Sequence, residues 1–236
     1  RSLTKPFILY DLIAFRLQHT RVIYMKRNKY NGTCETECQK LSFDIRRTII
    51  LSEYMKHWEM PEFRQTMSRE NERVELYTFP GDDSENVTRF STIGLSSIRS
   101  RDSERQHSIG AELMMVVPKG VAIEQEDQIK NYLFDVASYL LNTLGKQLTV
   151  GTTIPESPLA PNGWPKALLF DEPRGEPEEL SCFHIGSQHV DLFWLIPIYG
   201  SEHELIKEKG LDAFDKLDET EDISLVDINR PPLTTN

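Results

Sequence analysis

Cys182, His184, His189 and Asp191 bring a thiol, two imidazoles and a carboxylate into one short stretch of the chain. If Gly186-Ser187 forms a two-residue hairpin turn, Ile185 faces Gln188, His184 faces His189 and Cys182 faces Asp191. Strand alternation then places these four side chains on one face and Phe183, Val190, Leu192 and Trp194 on the other. The apolar face reads as core. The polar face has the donor types for a transition metal, and a metal-dependent hydrolase would use His184, His189 and Asp191. The same residues suit the solvated or partner-facing side of a sheet, because a flat cross-strand patch lacks the concavity of most metal sites. The expectation is therefore partner contact through His184, His189 and Asp191, with no metal and no cofactor. A register slip of one residue would scatter the cluster.

Other candidates are weaker. Cys34 and Cys38 have C-x3-C spacing in a polar stretch, but no second ligand pair follows as a zinc ribbon requires, so they read as free thiols. Trp164, between Gly163 and Pro165, is either an exposed binding aromatic, which joins His184, His189 and Asp191 as an expected partner contact, or a lid folded back on the core. The chain has no phosphate-cradling glycine loop, no His-Glu-x-x-His and no Gly-x-Ser-x-Gly elbow. No catalytic residue is assigned, and a non-enzyme is expected.

The elements that must position these residues begin near Ser42. Ile45, Ile49, Leu51, Tyr54 and Met55 have helical spacing, closed by Met60-Pro61. A hairpin follows, with Arg73–Phe79 and Val87–Ile93 joined by Pro80-Gly-Asp-Asp83. The polar stretch 96–108 reads as a loop. Ala111–Val117 is a buried strand stopped by Pro118. A helix from about Glu124 puts Ile129, Leu133, Val136, Ala137, Leu140, Leu141 and Leu144 on one face, with Gly145 as its cap. After a proline-rich loop over 155–165, strands are expected at Ala167–Phe170, Leu180–His184 and Val190–Tyr199. Ser201 and Glu204 form a capping box opening a last helix toward Leu217, with a break at Gly210. This order predicts an α+β domain: a largely antiparallel sheet with helices packed against it.

Charge divides unevenly along the 236 residues. Residues 1–50 hold ten Lys/Arg against four Asp/Glu, whereas residues 51–236 hold seventeen against thirty-three, a net of −16. An acidic body repels phosphate backbones, so nucleic acid is excluded as a partner and a basic protein surface is favoured. No apolar run approaches the ~20 residues that span a bilayer, and Asp11 interrupts the apolar stretch 6–15 with no small-residue cleavage site after it. Together with an odd cysteine count of three, this points to the cytoplasm and to no membrane partner.

Several ordered segments resemble the suppressor-of-fused domain family. Tyr77-Thr-Phe-Pro80 and Phe90-Ser-Thr-Ile-Gly-Leu-Ser96 are similar to that family's strand and "T-x-G-[ML]-S" turn. Ala111-Glu-Leu-Met-Met-Val-Val-Pro118 resembles its "E-L-[ML]" strand. Leu192-Phe-Trp-Leu-Ile-Pro-Ile-Tyr199, the helix from Glu202 to Gly210 and Asn229-Arg-Pro231 complete the pattern. The resemblance covers about residues 45–232. It implies a suppressor-of-fused-like domain over 41–236 that holds another protein without catalysis, after an N-terminal extension over 1–40. Single-domain members of this length resemble bacterial immunity proteins, which implies a basic toxin encoded nearby as partner; a scaffolding subunit is the alternative.

No amphipathic pattern ties the extension to the rest. A chain starting near Gln39 should remain soluble and unfold in one cooperative transition, as followed by circular dichroism on heating.

Overall fold

The computed structural model describes residues 37–236 apart from 70–71, 82–84, 99–108, 145–147, 158, 222 and 234–236. Residues 1–36 of the expected 1–40 extension, Cys34 among them, the Cys38 side chain, most of the polar loop and Gly145 lie outside the described residues.

The first helix, α1 (Glu37–Trp58), buries Phe43, Arg46, Ile50, Tyr54 and Trp58 at spacings of three and four residues. Of the expected stripe only Tyr54 is fully buried, while Ile49, Leu51 and Met55 are half-buried. Ile45 is exposed, because the aromatic side chains of Tyr54 and Trp58 decide which face turns inward. Those two rings stack at 4.6 Å and meet Phe79 edge to face.

Strands β1 (Phe63–Arg69), β2 (Glu72–Pro80), β3 (Val87–Ile93) and β4 (Ala111–Pro118) pair in antiparallel succession. The sequence pattern does not predict β1. Its residues, Phe-Arg-Gln-Thr-Met-Ser-Arg, are mostly polar, as suits a sheet edge. Helix α2 (Lys119–Tyr139) starts directly after β4 and continues through a π-helical turn at Leu140–Leu144. Gln125 departs from helical geometry at φ −125 and ψ 20. The regular helix thus begins near the expected position, preceded by an additional turn.

Strands β5 (Thr152–Ile154), β6 (Ala167–Asp171), β7 (Cys182–Ile185) and β8 (Gln188–Ile198) complete the sheet. Its order is β1-β2-β3-β4-β8-β6-β5, with β7 also paired to β8. All pairs are antiparallel except β4 with β8. A parallel pair requires a crossover, and the chain between Pro118 and Gln188 supplies it, carrying α2 over one face. Helices α3 (Gly200–Lys209) and α4 (Leu211–Glu221) follow, separated at Gly210, which takes φ +85. Leu180 is in a 3-10 turn rather than in the expected strand.

Both faces of the sheet are covered. On one, Leu76, Phe90, Leu113, Met115, Phe170 and Leu195 pack with Ile129, Leu133, Val136 and Ala137 of α2. On the other, Phe79, Ile93, Met114, Leu169, Trp194 and Ile196 pack with Ile50 and Tyr54 of α1, Ile206 of α3 and Phe214 of α4. This accounts for the unbroken apolar runs in β4 and β8, since a strand buried on both faces shows no polar alternation.

Phe214 is the buried anchor of α4. Phe214→Ala should lower unfolding free energy by about 3–5 kcal/mol in denaturant titration. Asp212→Ala, on the exposed side of the same helix, should change it by less than about 0.5 kcal/mol.

Candidate protein interface

Two buried carboxylates organise the surfaces around the sheet. Glu112 lies inside the apolar run of β4 and is fully buried. Its Oε1 accepts from the Gly94 N–H at 2.9 Å, the Ser96 N–H at 3.1 Å and the Ser96 hydroxyl at 2.6 Å. Its Oε2 accepts from the Thr92 hydroxyl at 2.8 Å and the Leu95 N–H at 3.2 Å. Gly94 must be glycine here. Its φ is +106, and a Cβ would stand 2.5 Å from the Arg73 carbonyl oxygen. Arg46 of α1 donates to the Ser96 hydroxyl at 2.7 Å and to Gln188 beside the β7–β8 turn. Burial lowers the Arg46 pKa, and the Glu112 charge opposes that shift. The turn after β3, strand β4, helix α1 and the hairpin are thus joined through one carboxylate.

Glu202 does the same at the end of the chain. Arg230 donates to both of its oxygens, at 2.6 and 2.7 Å, with both side chains buried. The Leu233 and Tyr199 N–H groups, each at 2.8 Å, complete its shell. The expected capping box at Ser201 and Glu204 is corrected by this geometry. The helix starts two residues earlier, with Tyr199 at the N-cap position, and Glu202 caps the Tyr199 N–H while Ser201 and Glu204 are exposed. Arg46, Glu112, Glu202 and Arg230 were not singled out from sequence as working residues. The available signal was a single carboxylate inside an apolar strand, since such a charge requires buried donors.

The β7–β8 hairpin has the expected register: Cys182 faces Asp191, Phe183 faces Val190, His184 faces His189 and Ile185 faces Gln188. Gly186 takes φ +62 at the first turn position, where a type II′ turn places its glycine. Phe183 and Val190 are buried, whereas His184 and His189 are exposed and Cys182 and Asp191 half-buried. The structure therefore brings His184, His189 and Asp191 together on an accessible surface. Trp164 does not join them. It is 4% exposed, donates from Nε1 to Gln125 at 2.8 Å and meets Tyr132 edge to face. The exposed-aromatic reading of Trp164 is corrected: it closes the core over the kink in α2.

Two further surfaces stand out. An open groove of about 700 Å³ runs between α1 and the sheet edge, lined by Arg47, Leu51, Met55 and Lys56 with Arg64 and Tyr77. Two of its arginines, Arg47 and Arg64, together with Arg73 face the buried Glu75, which accepts from the Tyr77 hydroxyl. Burial and that hydrogen bond raise the Tyr77 pKa. The opposite charge dominates α3, α4 and the segment after them, where residues 201–227 hold ten Asp/Glu against three Lys. Arg174 ties this acidic region to the sheet through Asp171 and Asp215, at 2.5 and 2.6 Å.

These features define an α+β domain with helices on both faces of a mostly antiparallel sheet, and no described helix is long and apolar enough to cross a membrane. The sequence profile of the suppressor of fused protein (SUFU) family matches residues 70–231, and the chain belongs to that family. No curated protein matches at a significant level. Among solved structures, a protein of Neisseria gonorrhoeae described as a SUFU homolog aligns at 17% identity, covering 81% of this chain and 98% of its own, with a TM-score of 0.62. A chain from the Sufu-Fu complex aligns at 17% identity over 79% of this chain and 90% of its own, with a TM-score of 0.56. Thr92, Gly94, Ser96 and Glu112, four of the residues that carry the resemblance in sequence, belong to one buried network.

Glu112→Gln would leave one accepting oxygen and turn an amide toward backbone N–H donors. It should cost about 3 kcal/mol of stability, measured by denaturant titration, with cooperative unfolding retained.

Proposed function

We propose that this chain is a non-catalytic protein-binding domain of the suppressor-of-fused type whose partner is a basic protein, and that neutralising a toxin encoded nearby is its biological role. The observation that carries the reading is the distribution of charge on this scaffold. The net of −16 over residues 51–236 includes a net of −5 along α3 and α4, where Glu204, Glu208, Asp212 and Glu219 are exposed. A nuclease toxin needs a basic surface for its own substrate, and such a surface meets an acidic one with favourable steering.

Family membership supports the protein-binding part, as does likeness to a fold solved in the Sufu-Fu complex. The sheet also offers a place to bind. Among the described residues β1 has a strand neighbour on one side only, and a partner segment could add there by main-chain hydrogen bonds. The non-catalytic part rests on how the buried acids are used. Glu112 is filled by backbone N–H and hydroxyl donors and Glu202 by backbone N–H groups and Arg230, while Glu75 and Asp171 are bound by arginines, so these buried carboxylates are engaged in holding the fold. The proposal places the domain over 41–236, with 1–40 as an extension, in the cytoplasm.

Association kinetics with the neighbouring gene product, across a salt series, test this reading. The association rate should fall as ionic strength rises, because exposed charges are screened beyond about 8 Å at physiological salt. Glu208→Lys with Asp212→Lys should slow association further while the melting temperature stays nearly constant. An association rate indifferent to salt removes the electrostatic part, and no binding at micromolar concentration removes the toxin partner.

A further inference from the structure

The polar face of the β7–β8 hairpin holds an arrangement that protein binding alone does not use. One donor atom from each of Cys182, His184 and His189 lies within 4.8 Å of the other two. The register produces this grouping: His184 is directly opposite His189, and Cys182 precedes His184 by two residues on the same face. The imidazole rings meet edge to face with centroids 5.3 Å apart. Asp191 lies opposite Cys182, and its carboxylate is 2.8 Å from Nε2 of His189. A histidine donating its Nε2–H to a carboxylate keeps a lone pair on Nδ1, the arrangement in which histidines ligate metals.

We propose that the hairpin binds a zinc ion through the Cys182 thiolate and one ring nitrogen from each of His184 and His189, with Asp191 positioning the His189 ring. Thiolate with imidazole is a donor set for Zn²⁺ rather than for Mg²⁺ or Ca²⁺, which take oxygen ligands. Tetrahedral zinc, with Zn–S about 2.3 Å and Zn–N about 2.0 Å, separates its donors by about 3.3 to 3.5 Å. The donor atoms lie within 4.8 Å of one another, so the cluster must contract by up to about 1.5 Å. His184 is exposed, so rotation of its side chain toward Cys182 and the Asp191-held His189 ring disturbs neither core layer. On binding, the Cys182 thiol releases its proton to solvent and the sulfur donates its electron pair to the ion. The fourth coordination position faces water. Phe183 and Val190 already hold the hairpin in the core, so the ion adds to a folded domain and is dispensable for folding.

The test is titration of the full chain with Co²⁺ and then Zn²⁺, in a C34S/C38S background so that any thiolate signal belongs to Cys182. One Co²⁺ per chain is expected, with a sulfur-to-metal charge-transfer band that Zn²⁺ abolishes. Cys182→Ser should remove that band, and His184→Gln should weaken Zn²⁺ binding by about 100-fold. Asp191→Asn should weaken it by about tenfold, the smaller effect of an outer partner. Circular dichroism establishes that each variant is folded, and the exposed His184→Gln keeps the test decisive if Cys182→Ser disturbs the strand. Absence of a charge-transfer band with Co²⁺ in excess overturns the proposal. So does zinc affinity unchanged in both Cys182→Ser and His184→Gln.

Discussion

A carboxylate buried in the middle of a sheet is the constraint on which the rest of this structure depends. Glu112 is surrounded by apolar side chains, and an ion there is tolerated only when its oxygens are filled with donors. The donors come from one turn, Thr92 through Ser96, which must fold tightly enough to aim successive N–H groups at a point. That tightness requires the left-handed Gly94. The hydroxyls of Thr92 and Ser96 each donate to the carboxylate and accept from a further group, Leu113 N–H and Arg46 respectively. The network therefore extends from the sheet into α1. Removing any member exposes another to an uncompensated charge.

The same solution recurs at Glu202, where Arg230 and two backbone N–H groups bind the final segment to the start of α3. A buried pair of this kind is a weak source of net stability, because desolvation of both ions offsets their attraction. Arg230 and the Leu233 N–H reach the same carboxylate as the Tyr199 N–H, which fixes the segment from Asp227 to Leu233 against the start of α3. The two carboxylates together hold the elements that the β ladders do not connect: α1 to the sheet through one, the C-terminal segment to α3 through the other.

Covering both faces of the sheet has a consequence for function. The faces are occupied by helices, so a partner meets strand edges, helix exteriors or the hairpin tip. These three surfaces differ in chemistry. The β1 edge adjoins a groove carrying Arg47, Lys56 and Arg64; α3 and α4 present carboxylates; the hairpin presents thiol and imidazole. Each is held by groups that also hold the core. Arg46 reaches the hairpin through Gln188, and Arg174 links the acidic helices to β6 through Asp171.

Local rules determined much of this protein from sequence alone. The turn at Gly186-Ser187 set the hairpin register, and with it the grouping of Cys182, His184, His189 and Asp191, because side-chain direction in a two-residue hairpin follows from the turn. The α2 face, the β2–β3 hairpin and the break at Gly210 were legible for similar reasons: each depends on a period or a glycine within a few residues. Only the tertiary structure decided matters in which distant residues compete. The polar strand β1 exists because β2 offers it a ladder, and its composition carries no strand signal. The inward stripe of α1 follows where Tyr54 and Trp58 find Phe79, not where Ile45 points. Trp164 is buried because α2 kinks at Gln125 and presents an acceptor to it. The parallel pairing of β4 with β8, and the convergence of five donors on Glu112, are also contacts across long separations in sequence. No local pattern encodes them, because their free energy arises only when both faces of the sheet are covered and water is excluded.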